Sequence, residues 1–111
     1  HFYQLGIKPD WWKLPPLSSA SWQQITALIE REDPWSRGIL ILGLDAPSDK
    51  LRAGFAEAAA HPMIKGFAVG RTIFGQPSRG WMQGELGDEA LIEEVKRNYR
   101  TLIGYWREAR R

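Results

Sequence analysis

Three times along this chain an apolar run gives way to a turn and then to a segment patterned as an amphipathic helix. Strand–helix repeats of this length require parallel pairing through right-handed crossovers, which makes the chain α/β. The first run is read as roughly Ile7 to Leu14, ended by Pro15-Pro16. Ser18 or Ser19 then caps a helix whose apolar positions include Trp22, Ile25, Leu28 and Ile29, and Arg31-Glu32-Asp33-Pro34 stops it. The second run, Gly38 to Leu44, is apolar on both faces, as a central parallel strand is. Ser48 is expected to cap a helix over Asp49 to Ala60 with Leu51, Phe55 and Ala59 inward, closed by His61-Pro62. The third run is Ile64 to Val69 or a little further, followed by a glycine- and proline-bearing loop from Phe74 to Gly87. Asp88 is expected to cap a last helix that buries Leu91, Ile92, Val95, Tyr99, Leu102, Ile103 and Trp106.

Three such units do not close a barrel, which takes eight strands. The pattern fits the C-terminal portion of a (β/α)8 (TIM) barrel or a short three-layer open sheet, and the barrel portion fits better. With no internal linker, residues 1–111 read as a single unit, a partial barrel domain. The chain opens on His1 in place of methionine, which leads to the expectation of a piece of a longer, cytoplasmic protein. No signal-peptide pattern and no apolar run of membrane-spanning length is present.

At 111 residues and 43% hydrophobic, the chain can bury one modest core. It has no cysteine, so disulfides and thiolate metal sites are excluded. His1 and His61 lie far apart without carboxylates at ligand spacing, so no metal is expected. The formal charge of +2 owes much to Lys96, Arg97, Arg100, Arg107, Arg110 and Arg111 on the last helix. There glutamates interleave with them and the helix dipole accommodates them, so neither nucleic acid nor membrane is implied as a partner.

In parallel α/β proteins the chemistry collects at the C-terminal ends of the strands. Two places stand out by that rule. Lys13, near the end of the first strand, shares a strand face with Trp11. In an aromatic, poorly solvated pocket, desolvation lowers a lysine's pKa and leaves an amine able to attack a ketone. The plainer reading is a lysine that snorkels to the rim along Trp11. The other place is Gly70-Arg71-Thr72, where the third strand ends. Glycine admits close approach of an anion to backbone N–H groups and arginine clamps it bidentately, with Gly43 opposite at the end of the second strand. A tight turn beside a surface arginine is the plainer alternative. Asp45 is a possible hydroxyl-orienting residue or an ordinary turn residue. Lys8 and Lys65, at strand starts, read as structural, and Trp22, Trp35, Trp81 and Trp106 as core or interface anchors.

Three ordered blocks carry a resemblance: Lys8-Pro9-Asp10-Trp11-Trp12-Lys13-Leu14; Asp33-Pro34 through Leu42-Gly43-Leu44-Asp45-Ala46-Pro47; and Lys65-Gly66-Phe67-Ala68-Val69-Gly70-Arg71-Thr72-Ile73-Phe74. Together they resemble the C-terminal domain carried by many bacterial 5-dehydro-2-deoxygluconokinases of myo-inositol catabolism. That domain is similar in turn to class I aldolases of the tagatose-bisphosphate type. The resemblance implies barrel strands six to eight and cleavage of 2-deoxy-5-keto-gluconate 6-phosphate to dihydroxyacetone phosphate and malonic semialdehyde. It implies that Lys13 forms the imine and that Gly70-Arg71 binds the substrate phosphate, without metal or organic cofactor. The five earlier strands and the kinase domain of that family have no counterpart here. The fragment alone is therefore expected to be inactive, completed by a missing barrel half or a homo-oligomer. The rival expectation is a non-catalytic interaction or oligomerisation domain attached to a sugar kinase.

Overall fold

A computed structural model describes all residues 1–111. It comprises a 3₁₀ turn at Tyr3–Leu5, then β1 (Trp11–Leu14), α1 (Ser19–Glu32), β2 (Gly38–Leu42), α2 (Ser48–Ala59), β3 (Ile64–Ala68), α3 (Arg71–Met82) and α4 (Asp88–Ala109). The three strands form one parallel sheet in the order β1-β2-β3, so each βα unit adds its strand beside the one before.

The ladder explains why β1 is shorter than the apolar run. Pro9 has no N–H to donate, and the first register pair is Trp11 with Gly38, supported by Arg37 N–H donating to the Asp10 carbonyl at 2.7 Å. β2 ends at Leu42 because Leu44 and Asp45 turn the chain with φ of 49° and 62°. Ser18 does cap α1, its side chain accepting from Ser21 N–H at 3.3 Å. Ser48 does not cap α2: the cap position is Pro47, and Ser48 is the first helical residue. Asp88 likewise lies inside α4 behind Gly87, and its carboxylate accepts from Trp81 Nε1 at 2.7 Å.

The largest departure from the sequence reading is α3. The glycines and proline from Phe74 to Gly87 predict a loop, but most of the segment is helical, with Pro77 inside. Proline in a helix interior cannot bond the carbonyl four residues back. Here that carbonyl belongs to Ile73, and the Asn98 side-chain amide of α4 donates to it at 2.8 Å. The bond tied to Pro77 is thus replaced from a neighbouring helix, and the buried ring stays where it is.

Strand parity sorts the sheet into two unequal faces. Trp12, Leu14, Ile39, Ile41, Ile64 and Phe67 point to the side on which the helices pack. There Phe55 of α2 stacks on Phe67 with ring centroids 5.1 Å apart and meets Trp106 of α4 edge-on at 5.5 Å. Trp22, Ile29, Leu51, Ala58, Ile73 and Leu102 complete this core. Burying an aliphatic or aromatic side chain of this size stabilises by about 1.5–3 kcal/mol, so one helix-covered face carries the fold. Trp11, Lys13, Leu40, Leu42, Gly66 and Ala68 lie on the opposite face, which no helix of this chain covers. The molecule has two layers, not three.

Several expected core positions are exposed. On α4 only Leu102 is fully buried, while Ile92 and Tyr99 are about half exposed. On α2 the inward residue is Ala58 rather than Ala59, with Gly54 fitted against Pro16. Trp22 is a core anchor, whereas Trp35 is almost fully in solvent.

Candidate functional site

The ends of β2 and β3 meet where parallel pairing brings their C-terminal edges together. Leu42 pairs with Ala68, and the loops that follow enclose a cavity of about 230 Å³ lined by Gly43, Asp45, Gly70, Arg71, Thr72 and Phe74, among others. The five strand-end residues singled out from the sequence as binding candidates therefore stand around one space. Their local settings differ from one another.

Gly43 is buried, and a Cβ there would lie 2.7 Å from Val69 Cγ1. Its lack of a side chain lets the two strand ends close on one another. Gly70 is the cap residue of α3, and its Cβ would sit 3.1 Å from the Phe74 ring. Having no side chain, it offers no capping acceptor to the Arg71 and Thr72 N–H groups, while the Ile73 N–H donates to the Gly70 carbonyl at 2.8 Å; an uncapped helix start of this kind favours an anion. The Thr72 hydroxyl donates to the Ala46 carbonyl at 2.8 Å. Its proton is committed to the loop after β2, so toward an anion Thr72 offers its backbone N–H while its side chain positions the loop.

Arg71 and Asp45 carry the charge. Their side chains are exposed, and Arg71 Nη1 lies 3.8 Å from Asp45 Oδ2. A pair of that length in solvent is weak, so an anion competes for the guanidinium on good terms. Leu44 and Asp45 are both left-handed non-glycine residues, a conformation that costs about 1–3 kcal/mol per residue and persists only where the surroundings impose it. The Thr72 bond and the Ala46 N–H bond to the Gly43 carbonyl, 2.9 Å, hold the loop in that shape.

Lys13 is set back from that edge and lies two strands away, level with the middle of β2 and β3. It pairs with Leu40, which pairs with Gly66, so about 10 Å separates its strand from β3. It shares the uncovered face with Trp11, as parity requires. The aromatic, poorly solvated pocket expected around it does not form within this chain: Lys13 is exposed, and Trp11 is 42% exposed. No group of three or more histidine or carboxylate side chains is placed to hold a metal.

A second, larger cavity of about 440 Å³ lies outside the first, between the start of α2, α3 and α4. Asp45, Arg71 and Thr72 line both spaces, so the Arg71–Asp45 pair forms a wall between them. The outer space adds Gln76, Arg79 and Arg97. Gln76 and Arg79 are not among the sequence candidates, because Gly75, Pro77 and Gly80 predict a loop over their segment. Their signal was present: Thr72, Gln76 and Arg79 follow one helical face at intervals of four and three.

Over residues 1–110 the sequence matches the family described as an uncharacterized protein conserved in bacteria (DUF2090), and the chain belongs to that family. No curated protein and no solved structure matches it.

Proposed function

We propose that this member of the DUF2090 family is the C-terminal portion of a class I aldolase-like barrel acting on a phosphorylated keto sugar acid in the cytoplasm. In this reading the strand-end cavity takes the phosphate, with Arg71 as the clamp and the first-turn N–H groups of α3 as further donors. The observation that carries it is the convergence of Gly43, Asp45, Gly70, Arg71 and Thr72 on one small cavity at the C-terminal edge of a parallel sheet.

Lys13 would then supply the amine. Its Nζ adds to the substrate ketone and water leaves, forming a protonated imine. A base removes the proton of the hydroxyl β to the imine carbon, the carbon–carbon bond breaks, and the electron pair moves onto the imine as an enamine. Protonation and hydrolysis return the amine and release dihydroxyacetone phosphate, the aldehyde fragment being malonic semialdehyde. Asp45 would orient a substrate hydroxyl. Covering the uncovered face with the rest of a barrel would exclude water from around Lys13, the kind of apolar surrounding in which a lysine amine acts as a nucleophile.

That uncovered face also supports a second reading, a non-catalytic docking domain that joins Trp11, Leu40 and Leu42 to another part of an assembly. Borohydride trapping with dihydroxyacetone phosphate, followed by peptide mapping of the full-length parent protein, separates the two. The aldolase reading expects a reduced adduct on Lys13 that disappears in Lys13→Met and weakens at least tenfold in Arg71→Ala. An adduct on another lysine, or none, refutes it and leaves the docking reading.

A further inference from the structure

The strand-end reading does not use the outer cavity between α2, α3 and α4. Its charge is unbalanced: Arg71, Arg79 and Arg97 line it against the single carboxylate of Asp45. The neutralisation available to these guanidiniums is slight. Arg71 meets Asp45 at 3.8 Å, Arg97 meets Glu94 at 3.9 Å on the exposed side of α4, and Arg79 makes no ion pair. The remaining lining is hydrogen-bonding rather than apolar, with Ser48, Gln76 and Thr101 among it. Ser48 opens α2, whose first turn has no side-chain cap.

We propose that this cavity is a second anion site, which takes a small molecule carrying two phosphoryl groups. Guanidinium forks recognise phosphoryl oxygens in pairs, which favours phosphate over a simple halide. Arg71 and Arg79, about two turns apart on α3, reach the same cavity, and with Arg97 they offer more paired donors than one phosphoryl group takes, which favours a diphosphate. Arg97 of α4 faces the space between them. Arg71 borders both spaces and is shared with the strand-end reading, whereas Arg79 and Arg97 line only the outer of the two, so a variant of those two tests this site separately.

The test is isothermal titration of the chain with pyrophosphate and with inorganic phosphate, in wild type and in Arg79→Gln/Arg97→Gln, with thermal melts checking that the variant is folded. Arginine Nε resonances report the location. The expected result is saturable pyrophosphate binding at least tenfold tighter than phosphate. It should weaken about a hundredfold in the double variant, with the Arg79 and Arg97 signals shifting on titration. Identical isotherms for wild type and variant overturn the site, whatever happens at the strand ends. Equal affinity for phosphate and pyrophosphate overturns the two-headed ligand. If the double variant melts early, the wild-type Nε shifts decide alone: shifts at Arg79 and Arg97 uphold the site, and unmoved signals overturn it.

Discussion

Asn98 provides the sharpest test of how α3 is held together. Its amide donates at 2.8 Å to the Ile73 carbonyl, the group that Pro77 leaves without its helical partner. Ile73 is 7% exposed, so water reaches that carbonyl poorly once the amide is gone. A buried acceptor left unpaired costs about 1–3 kcal/mol. In a domain of this size each kcal/mol moves the melting midpoint by about 4 °C, so Asn98→Ala should melt about 4–12 °C lower. Pro77→Ala restores an N–H at position 77 that can bond the same carbonyl. In that background Asn98→Ala should cost less than half as much. Urea denaturation of all four proteins, followed by circular dichroism and tryptophan fluorescence, gives the coupling energy directly, and the loss of the buried proline ring cancels in the cycle. A coupling below about 0.5 kcal/mol would mean that the amide does not replace the missing helical bond, and the account of Pro77 would fail.

Two further outcomes follow from the packing. Gly43→Ala places a methyl 2.7 Å from Val69 Cγ1, so β2 and β3 must part at their ends. Overpacking of this kind costs about 1–3 kcal/mol, and a thermal melt within 1 °C of wild type, taking about 4 °C per kcal/mol as above, would contradict it. At alkaline pH the Tyr3 hydroxyl should resist ionisation. Burial raises its pKa above the ordinary tyrosine value, the hydrogen bond from Trp12 Nε1 opposes this, and Asp33 and Glu32 add to the rise. Folding therefore favours the protonated phenol. The stability it contributes is complete below the unfolded pKa and falls away as pH rises through the folded one. Wild type should lose stability across that alkaline window more steeply than Tyr3→Phe, as seen by denaturation at a series of pH values; parallel profiles would remove Tyr3 from the argument.

The sequence made the order and type of the βα units legible because each element repeats its own period. Ile39 and Ile41 alternate with Leu40 and Leu42, and Trp22 and Ile29 recur at helical spacing. The proximity of Gly43, Asp45 and Gly70 was legible too, because parallel topology forces residues just past neighbouring strands to one edge. The misreadings share a cause. Gly75, Pro77 and Gly80 look like loop residues locally, and only the distant Asn98 makes a helix there tolerable. Ser48 and Asp88 are good caps by composition, yet the chain enters each helix one residue earlier. An apolar strand says that both its faces are oily; it does not say that this chain covers both.

The two left-handed residues after β2 bear on how such a protein evolves. Glycine at position 44 would relieve the conformation that leucine endures with φ of 49°. Leu44→Gly is thus among the easiest stabilising changes open to the chain. It lies beside Asp45 and the strand-end cavity. Selection for thermal robustness alone would therefore soften the wall of the proposed phosphate pocket first. Variants recovered from such a screen would keep their fold while losing the fixed loop that aims Asp45 at Arg71.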